Sequence, residues 1–590
     1  MSPRTTPKEA ELYARFNQEM ESVKKNPNQS IGTCVEDLAE KIPNRTALLF
    51  QDSSWTWQSI NEESNRIANY FLKLGVKPED TIALMLENSP EYLFLTTGIN
   101  KIQGISGCIN FNQRRQALIH SFNITEPKFV IVDGTCLPSF NEISAEVSYS
   151  NEQIYVINNF GKIPHDFIEL SNELNGISNL NPPTTRNSIL RQTAYYVFTS
   201  GTTGFPKAIN QHNYKLFLQA FLLMISFAKI TPEDVIYIAT PFYHNLSNGI
   251  AWPTAFVLGA TIALRKRFSA SAFWEDIHKY QATATMYIGE IPRYILNQPY
   301  SEYEKNHTLR TIVGVGLRKD VWEKFKARFK VEHICEFYGL TEGHRMLMNV
   351  GEVPGMIGRK NVSGLMLAKV NPETGEFYKN DKGYLIQCKP GDIGMVLFKL
   401  EKGTFFTGYK DKQKTQKRKM HNVFRRDDAY FNTGDMVKLH ENKWISFADR
   451  FGDTFRWKGE NVSTLEVETI LDSFPSIHMS AVYGVEIPNT EGKAGMATIQ
   501  INPSLKFEID EFSRFVIDVF PSYSIPLFIR ITDEIEVAGP LKMKKTKIQK
   551  ETYDIDIIND PLYFWQSENK KYIPLSTSLY EKIIEGKIKL

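Results

Sequence analysis

Little in this sequence points to cross-linking. Its 590 residues include five cysteines, at 34, 108, 136, 335 and 388, and no two form a CxxC pair. So sparse and odd a count excludes a disulfide-stapled scaffold and fits a reducing compartment. Charge of one sign is also missing: 69 basic side chains face 67 acidic ones, for a formal net charge of +2. That balance creates no global field, so no nucleic-acid partner is expected. Met1 to Lys25 carries charges throughout and has no apolar stretch, so no secretory leader is expected there. Val235 to Leu264 is the longest uncharged run, long enough by itself for a membrane span. Pro241, His244, Asn245, Ser247, Asn248 and Pro253 interrupt it. A strand, a loop and a buried helix are its expected contents. No internal repeat is present.

What remains is globular. Hydrophobic residues make up 42% and charged residues 23%, which excludes a disordered or collagen-like chain. The length implies roughly two to four folding units. Helical and strand-like stretches alternate. Trp57 to Leu74 has helical spacing and stops at Gly75, and Thr81 to Leu86 is an apolar strand. Pro90 to Ile102 is again helical, and Phe129 to Val132 strand-like. Such β-α-β spacing predicts an α/β fold with layered, mostly parallel sheets. Residues 170–190 are rich in Asn, Ser and Pro and are expected as loop. Lysines and arginines crowd 410–426, which is expected as a solvated helix face; an anionic-ligand patch is the alternative. Beyond Asp449 the pattern changes to a smaller α+β unit. The expected domains are an N-terminal arm, 1–30, a large ATP- and acyl-binding domain, 31–448, and a mobile C-terminal lid, 449–590.

One segment stands out: Tyr195-Tyr196-Val197-Phe198-Thr199-Ser200-Gly201-Thr202-Thr203-Gly204-Phe205-Pro206-Lys207. An apolar strand runs into hydroxyl side chains, two glycines and a lysine. Glycines let backbone N–H groups approach an anion, hydroxyls add donors, and the lysine adds charge; together they make a phosphate cradle. A Walker A loop would need Gly-Lys-Ser/Thr opening a helix, and here Pro206 precedes the lysine.

That loop resembles the signature of the adenylate-forming superfamily of acyl-CoA synthetases, luciferases and peptide-synthetase adenylation domains. Further segments resembling the family's motifs follow in order. They are Tyr338-Gly339-Leu340-Thr341-Glu342, then Thr433-Gly434-Asp435, then the hinge segment from Asp449-Arg450 to Asn461-Val462. The hinge wording is similar to the branch of fatty-acid transport proteins and very-long-chain acyl-CoA synthetases. Ile288-Gly289-Glu290, Gly314 to Arg318 and Glu491 to Met496 resemble the same branch. The resemblance covers roughly residues 35–590.

The resemblance implies roles. Thr199, Ser200, Gly201, Thr202, Thr203, Gly204 and Lys207 would hold the β- and γ-phosphates of ATP. Thr341 would contact the α-phosphate, and Glu342 would bind Mg²⁺, a hard cation that prefers carboxylate oxygen. Tyr338 would stack on adenine, and Asp435, helped by Arg450, would hold the ribose diol. Lys542 would bridge the substrate carboxylate and the α-phosphate, although Lys544, Lys545 and Lys547 are near enough to be alternatives. His244 matches the position near the acyl carboxylate, with a satisfied core histidine as the plain alternative. Phe242, Tyr243, Trp252 and Tyr287 are tunnel candidates whose default is core packing.

Three departures accompany the resemblance. Gly452 occupies the hinge position where the superfamily usually has Asp or Lys; Val315 and His344 stand where the branch usually has Asn. The membrane segment that opens many branch members is also missing.

The implied activity is that of an AMP-forming acyl-CoA synthetase. It converts a long- or very-long-chain fatty acid, ATP and CoA to acyl-CoA, AMP and pyrophosphate, with Mg²⁺ as cofactor. Rival expectations are a bile-acid-like, branched or secondary-metabolite carboxylate, and a lipid-uptake protein with a regulatory ATP site. The expected setting is intracellular with peripheral membrane contact. A peroxisome is favoured from the ending Ile588-Lys589-Leu590, with endoplasmic reticulum or lipid droplet as alternatives. An oligomer is left open.

Overall fold

Short apolar strands such as Thr81–Met85, buried at every position, can exist only inside a sheet covered on both faces. The computed structural model of the chain bears this out. It describes residues 6–588 except 114, 159–160, 162, 164–166, 200–205, 344, 373–374, 402–407, 451–453, 458–459, 489, 491–492, 521, 539–541 and 544. The chain divides into two units, residues 1–362 with 401–418, and residues 363–400 with 419–590.

The first unit contains two large sheets. One orders its strands Ile168–Glu169, Ile154–Ile157, Phe129–Asp133, Thr81–Met85, Ile105–Cys108, Thr193–Thr199 and Lys207–His212. Every neighbouring pair is parallel except the last, where Thr193–Thr199 meets Lys207–His212 antiparallel. The other sheet has a parallel interior of His333–Gly339, Thr311–Val315, Ala284–Ile288, Val235–Ile238, Thr261–Leu264 and Thr46–Phe50. Its edges, Met346–Met348 and Ser53–Thr56, are antiparallel.

The uncharged run resolves into the strand Val235–Ile238, a π-helical segment Leu246–Ala251, the helix Trp252–Leu258 and the strand Thr261–Leu264. Among the described residues no helix is long and apolar enough to cross a membrane. The expected arm is a helix, Pro7–Lys25, opened by a Thr6–Glu9 capping box; it buries Leu12, Met20 and Val23 in the first unit's core.

Inside the first unit lies a buried ammonium. Lys101, fully buried on the helix Pro90–Lys101, donates to Asn61 Oδ1 and Asn65 Oδ1 at 2.6 Å each and pairs with Glu36 at 3.2 Å. Burial pulls its pKa down to about 8 against the opposing pull of Glu36. Asn61, Asn65 and Asn69 recur at four-residue spacing on the helix Trp57–Lys73. Their amides clamp the loop expected at 170–190, donating to Asn179, Ser178 and Leu180 carbonyls and to Asn181 Oδ1. One short helix, Leu170–Glu173, opens that segment.

Among the described residues the second unit holds two larger cores and a small cluster of Met479, Ala481 and Ile535. An antiparallel sheet of Leu365–Lys369, Ile393–Lys399, Ala429–Leu439 and Trp444–Arg450 encloses Ala368, Val370, Leu397 and Met436. The other core, from Phe455 to Ile583, lies with a five-stranded sheet and the helices Ile509–Val519 and Thr577–Ile584. The expected step at 448/449 falls between these two cores, within the second unit.

Removing Lys101 leaves Glu36 and two amide oxygens without the ammonium they surround. Glu36 keeps Arg186 at 3.1 Å, so Lys101→Ala should lower stability by about 1–3 kcal/mol, the cost of leaving buried acceptors unsatisfied. Urea unfolding followed by tryptophan fluorescence measures it, and an unchanged midpoint would contradict this account of the cluster.

Candidate active site

Two chain segments far apart in sequence meet in the first unit. The strand Thr193–Thr199 delivers Thr199 at its C-terminal end, and the return strand starts at Lys207, whose Cα pairs with that of Thr199. Both ends of the signature loop are thus fixed by one ladder. Ser200, Gly201, Thr202, Thr203 and Gly204 lie outside the described residues, as does the Thr199 side chain.

In the neighbouring sheet the strand His333–Gly339 carries Tyr338, which is buried, and leads straight to Thr341 and Glu342. The Thr341 carbonyl accepts from Gln211 Nε2 at 3.0 Å and from Lys215 Nζ. Gln211 sits on the strand that begins at Lys207, and Lys215 on the helix Asn213–Gln219 that follows it. Two donors therefore bind the Thr341–Glu342 corner to the strand and helix that follow the glycine- and hydroxyl-rich loop. Lys215 is buried; desolvation pushes its pKa down to about 7, with Glu342 pulling the other way.

Glu342, also buried, accepts from the Tyr409 hydroxyl at 2.7 Å through Oε1. The Lys207 ammonium stands 5.0 Å from the centre of the Tyr409 ring, within cation–π range. Lys207, Thr341 and Glu342 are thus brought together, as expected from sequence. Gln211, Lys215 and Tyr409 were not expected, because nothing in their local pattern marks them.

No group of three or more His, Cys, Asp or Glu side chains among the described residues could hold a metal by itself. A single buried carboxylate suits Mg²⁺ better than a metal needing a full protein cage. Mg²⁺ keeps waters and takes one or two carboxylates plus substrate phosphates. Glu342 fits that description.

Behind Tyr338, on the same strand, Glu336 is another residue the sequence did not announce. Its carboxyl accepts from the Tyr287 hydroxyl and from the N–H groups of Gly316 and Leu317, at 2.5 and 3.2 Å. Burial raises its pKa to about 8. Gly316 has φ +82°, and a Cβ on Gly314 would sit 2.1 Å from the Tyr287 carbonyl oxygen. The Gly314–Arg318 turn therefore requires glycine at both positions. Tyr287 thus supports this turn.

His244 is partly buried, and its Nδ1 accepts from the Leu246 N–H at 3.2 Å. Desolvation lowers its pKa to about 4, so the ring is neutral at pH 7 and carries its proton on Nε2. Phe242 packs against Tyr92 and Tyr243 against Phe111, with ring centroids 5.3 and 5.2 Å apart. Trp252 is fully buried and stacks on Trp57, which makes it a core residue.

In the second unit Asp435 is buried on the strand Ala429–Leu439, and its Cα pairs with that of Arg450 on Trp444–Arg450. Gly434 takes φ +79° to make the local turn, and Thr433 Oγ1 accepts from the Asp435 N–H at 3.0 Å. Asp435 and Arg450 are therefore cross-strand neighbours. Lys542 lies on a two-residue strand opposite Ala538; the side chains of Arg450 and Lys542, like Gly452 and His344, lie outside the described residues. Of the alternative lysines, Lys545 is engaged with Glu468 at 2.8 Å and Thr464 at 3.1 Å, and Lys547 is 72% exposed.

The sequence profile of the AMP-binding enzyme family matches residues 35–391. The chain is 35% identical to long-chain fatty acid transport protein 6 of Mus musculus, over 93% of this chain and 90% of that protein. It is 34% identical to the medium/long-chain-fatty-acid–CoA ligase FadD6 of Mycobacterium tuberculosis, over 95% and 92%. The fold is shared with the anthranilate CoA ligase AuaEII, solved with anthranoyl-AMP. That match has a TM-score of 0.74 at 21% identity and covers 88% of this chain and 97% of that one.

The His244 shift has a pH consequence. An unfolded histidine gains its proton near pH 6.5, whereas His244 in the fold resists until about pH 4. Its contribution to stability is therefore complete above pH 6.5 and falls as pH drops through that window. His244→Gln should flatten the decline in melting temperature between pH 7 and pH 5. An identical decline in both proteins would contradict the assigned neutral ring.

Proposed function

The chain belongs to the AMP-binding enzyme family, and from that premise we propose that it joins a long- or very-long-chain fatty acid to CoA through an acyl-adenylate. One observation carries this most: the Thr341–Glu342 corner is hydrogen bonded to the strand and helix that follow the glycine- and hydroxyl-rich loop. A carboxylate able to hold a cation thereby stands next to the loop's lysine, as attack on a nucleotide phosphate requires. The acid is inferred from relatives named as fatty acid transport proteins and as a medium/long-chain-fatty-acid–CoA ligase.

The chemistry balances in two steps. A fatty carboxylate oxygen attacks the α-phosphorus of ATP, the bond to pyrophosphate breaks, and a mixed acyl–phosphate anhydride results. The CoA thiolate then attacks the acyl carbon, the carbon–oxygen bond to phosphate breaks, and AMP leaves. Bound Mg²⁺ would supply charge neutralisation on the phosphates. In this reading Thr199 to Gly204 and Lys207 hold the β- and γ-phosphates, and Thr341 meets the α-phosphate. Tyr338 packs on adenine, Asp435 and Arg450 hold the ribose, and Lys542 bridges carboxylate and α-phosphate. The neutral imidazole of His244 offers Nε2–H to the acyl carboxylate without adding a full charge. The 449–590 segment acts as the lid, and Gly452 absorbs its rotation between the two steps.

Peripheral membrane contact belongs to the same proposal. Similarity to fatty acid transport proteins supports the membrane contact. Uptake would then follow from trapping the acid as its CoA ester.

Purified protein with Mg-ATP and acids from medium to very long chain should release AMP and form acyl-CoA only when CoA is present. Turnover should be strongest on the long chains. Failure with every straight-chain acid, despite ATP binding, would favour a bile-acid-like or branched carboxylate. Lys542→Ala should lower acyl-CoA formation by about 10²-fold or more, the scale of losing one transition-state contact, with ATP affinity retained. Full activity in that variant would shift the role to a neighbouring lysine.

A further inference from the structure

The hairpin that carries Lys542 is gripped where it ends. Its strands Val537–Ala538 and Lys542–Met543 run antiparallel, with Ala538 opposite Lys542. Just beyond Met543 the helix Lys545–Glu551 begins. The Lys545 ammonium pairs with Glu468 Oε1 at 2.8 Å and donates to Thr464 Oγ1 at 3.1 Å. Both acceptors lie on the helix Thr464–Leu471, which Thr464 opens, with Glu468 one turn further along the same face. Glu468 Oε1 also accepts from the Val482 N–H at 2.8 Å, on the strand Ile477–Val485. The pair is shielded from water: the Glu468 side chain is 3% exposed and that of Lys545 14%. Parting so buried a pair leaves an uncompensated charge, whereas an exposed pair separates at little cost.

Apolar contacts back the same grip. Met479 and Ala481 of the strand Ile477–Val485 form a small buried cluster with Ile535, and Ile548 packs against it. Ile535 precedes the hairpin and Ile548 follows it, so both flanks of the Lys542 hairpin rest on that strand. The helix Thr464–Leu471 follows directly on the strand Glu460–Ser463, which pairs with Thr454–Trp457 in the latter part of the hinge segment. The grip therefore ties the Lys542 hairpin to the helix that leaves the hinge segment. A lysine that must reach between a carboxylate and an α-phosphate needs a fixed backbone, since a misplacement of about 1 Å can cost about 10²-fold in rate.

We propose that Lys545 is a positioning residue: held by Glu468 and Thr464, it fixes the exit of the hairpin and so places Lys542 for the adenylation step. The inference rests on the reading of Lys542 as the lysine that bridges carboxylate and α-phosphate.

The test uses the full chain with palmitic acid. Lys545→Met keeps the apolar stem of the side chain and removes its charge. Palmitate-dependent exchange of labelled pyrophosphate into ATP should fall by about tenfold or more in this variant, while ATP affinity measured by calorimetry stays the same. CoA-dependent breakdown of supplied palmitoyl-adenylate needs no bridge from the acid to ATP, so its rate should be kept. Lys545→Arg restores a cation for Glu468 and should recover most of the exchange. Full exchange in Lys545→Met, or equal losses in both half-reactions, would overturn the proposal. In wild-type protein, trace acetylation read by mass spectrometry should modify Lys545 far more slowly than Lys547, which is 72% exposed. Equal rates would overturn the proposal as well, a result that needs no variant to fold. Lys542→Ala separates the two levels. If it keeps full exchange, the reading of Lys542 fails; if it abolishes exchange while Lys545→Met does not, only the role of Lys545 fails.

Discussion

The Thr341 carbonyl, bound by the Lys215 ammonium and the Gln211 amide, joins segments 126 and 130 residues apart. A buried ammonium is costly without partners, so Lys215 must keep both its carbonyl acceptor and the field of Glu342. That requirement ties the end of the strand Lys207–His212 and the helix after it to the corner that follows Gly339. Were it released, Glu342 would have no defined distance from the phosphate loop, and Tyr409 would have no fixed carboxylate to meet. The apolar strands position the backbone to within a residue's width; these few buried polar contacts set the final geometry at the site.

Much of the fold was legible because its causes are local. Fully apolar strands, glycine stops such as Gly75 and proline starts such as Pro90 announce parallel sheets with helical crossovers. The interrupted run from Val235 to Leu264 also contained what its polar residues implied. The motifs stand out for a different reason: Thr199 to Lys207, Thr341-Glu342 and Asp435 follow the order of the family's signatures, and the structure brings Lys207 and Glu342 to the same tyrosine, Tyr409. The supports were not legible. Lys215 sits in Asn213-Tyr214-Lys215-Leu216 and looks like any helical lysine. Glu336 could have faced solvent, and only the three-dimensional closure of Tyr287 and the Gly314–Arg318 turn reveals its task. Tyr409 adjoins a basic stretch whose composition drew attention away from it. The arm, too, hid its role, since only its capping box and three buried apolar residues show that it belongs to the core.

The candidate residues are spread over both units. The first carries the phosphate-loop lysine, Thr341, Glu342 and the neutral His244; the second carries Asp435 beside Arg450, and the Lys542 strand. Among the described residues of the second unit, the larger apolar clusters lie on either side of residue 449.

Fatty-acid-dependent exchange of labelled pyrophosphate into ATP, measured without CoA, tests the central claim most directly. It isolates the first half-reaction and requires that the carboxylate, the α-phosphate and the cation meet on this protein. The account predicts exchange with long-chain fatty acids, none without acid, and its loss in Glu342→Gln. An absence of exchange in wild-type protein that binds both ATP and fatty acid would contradict it, as would exchange that survives Glu342→Gln at full rate.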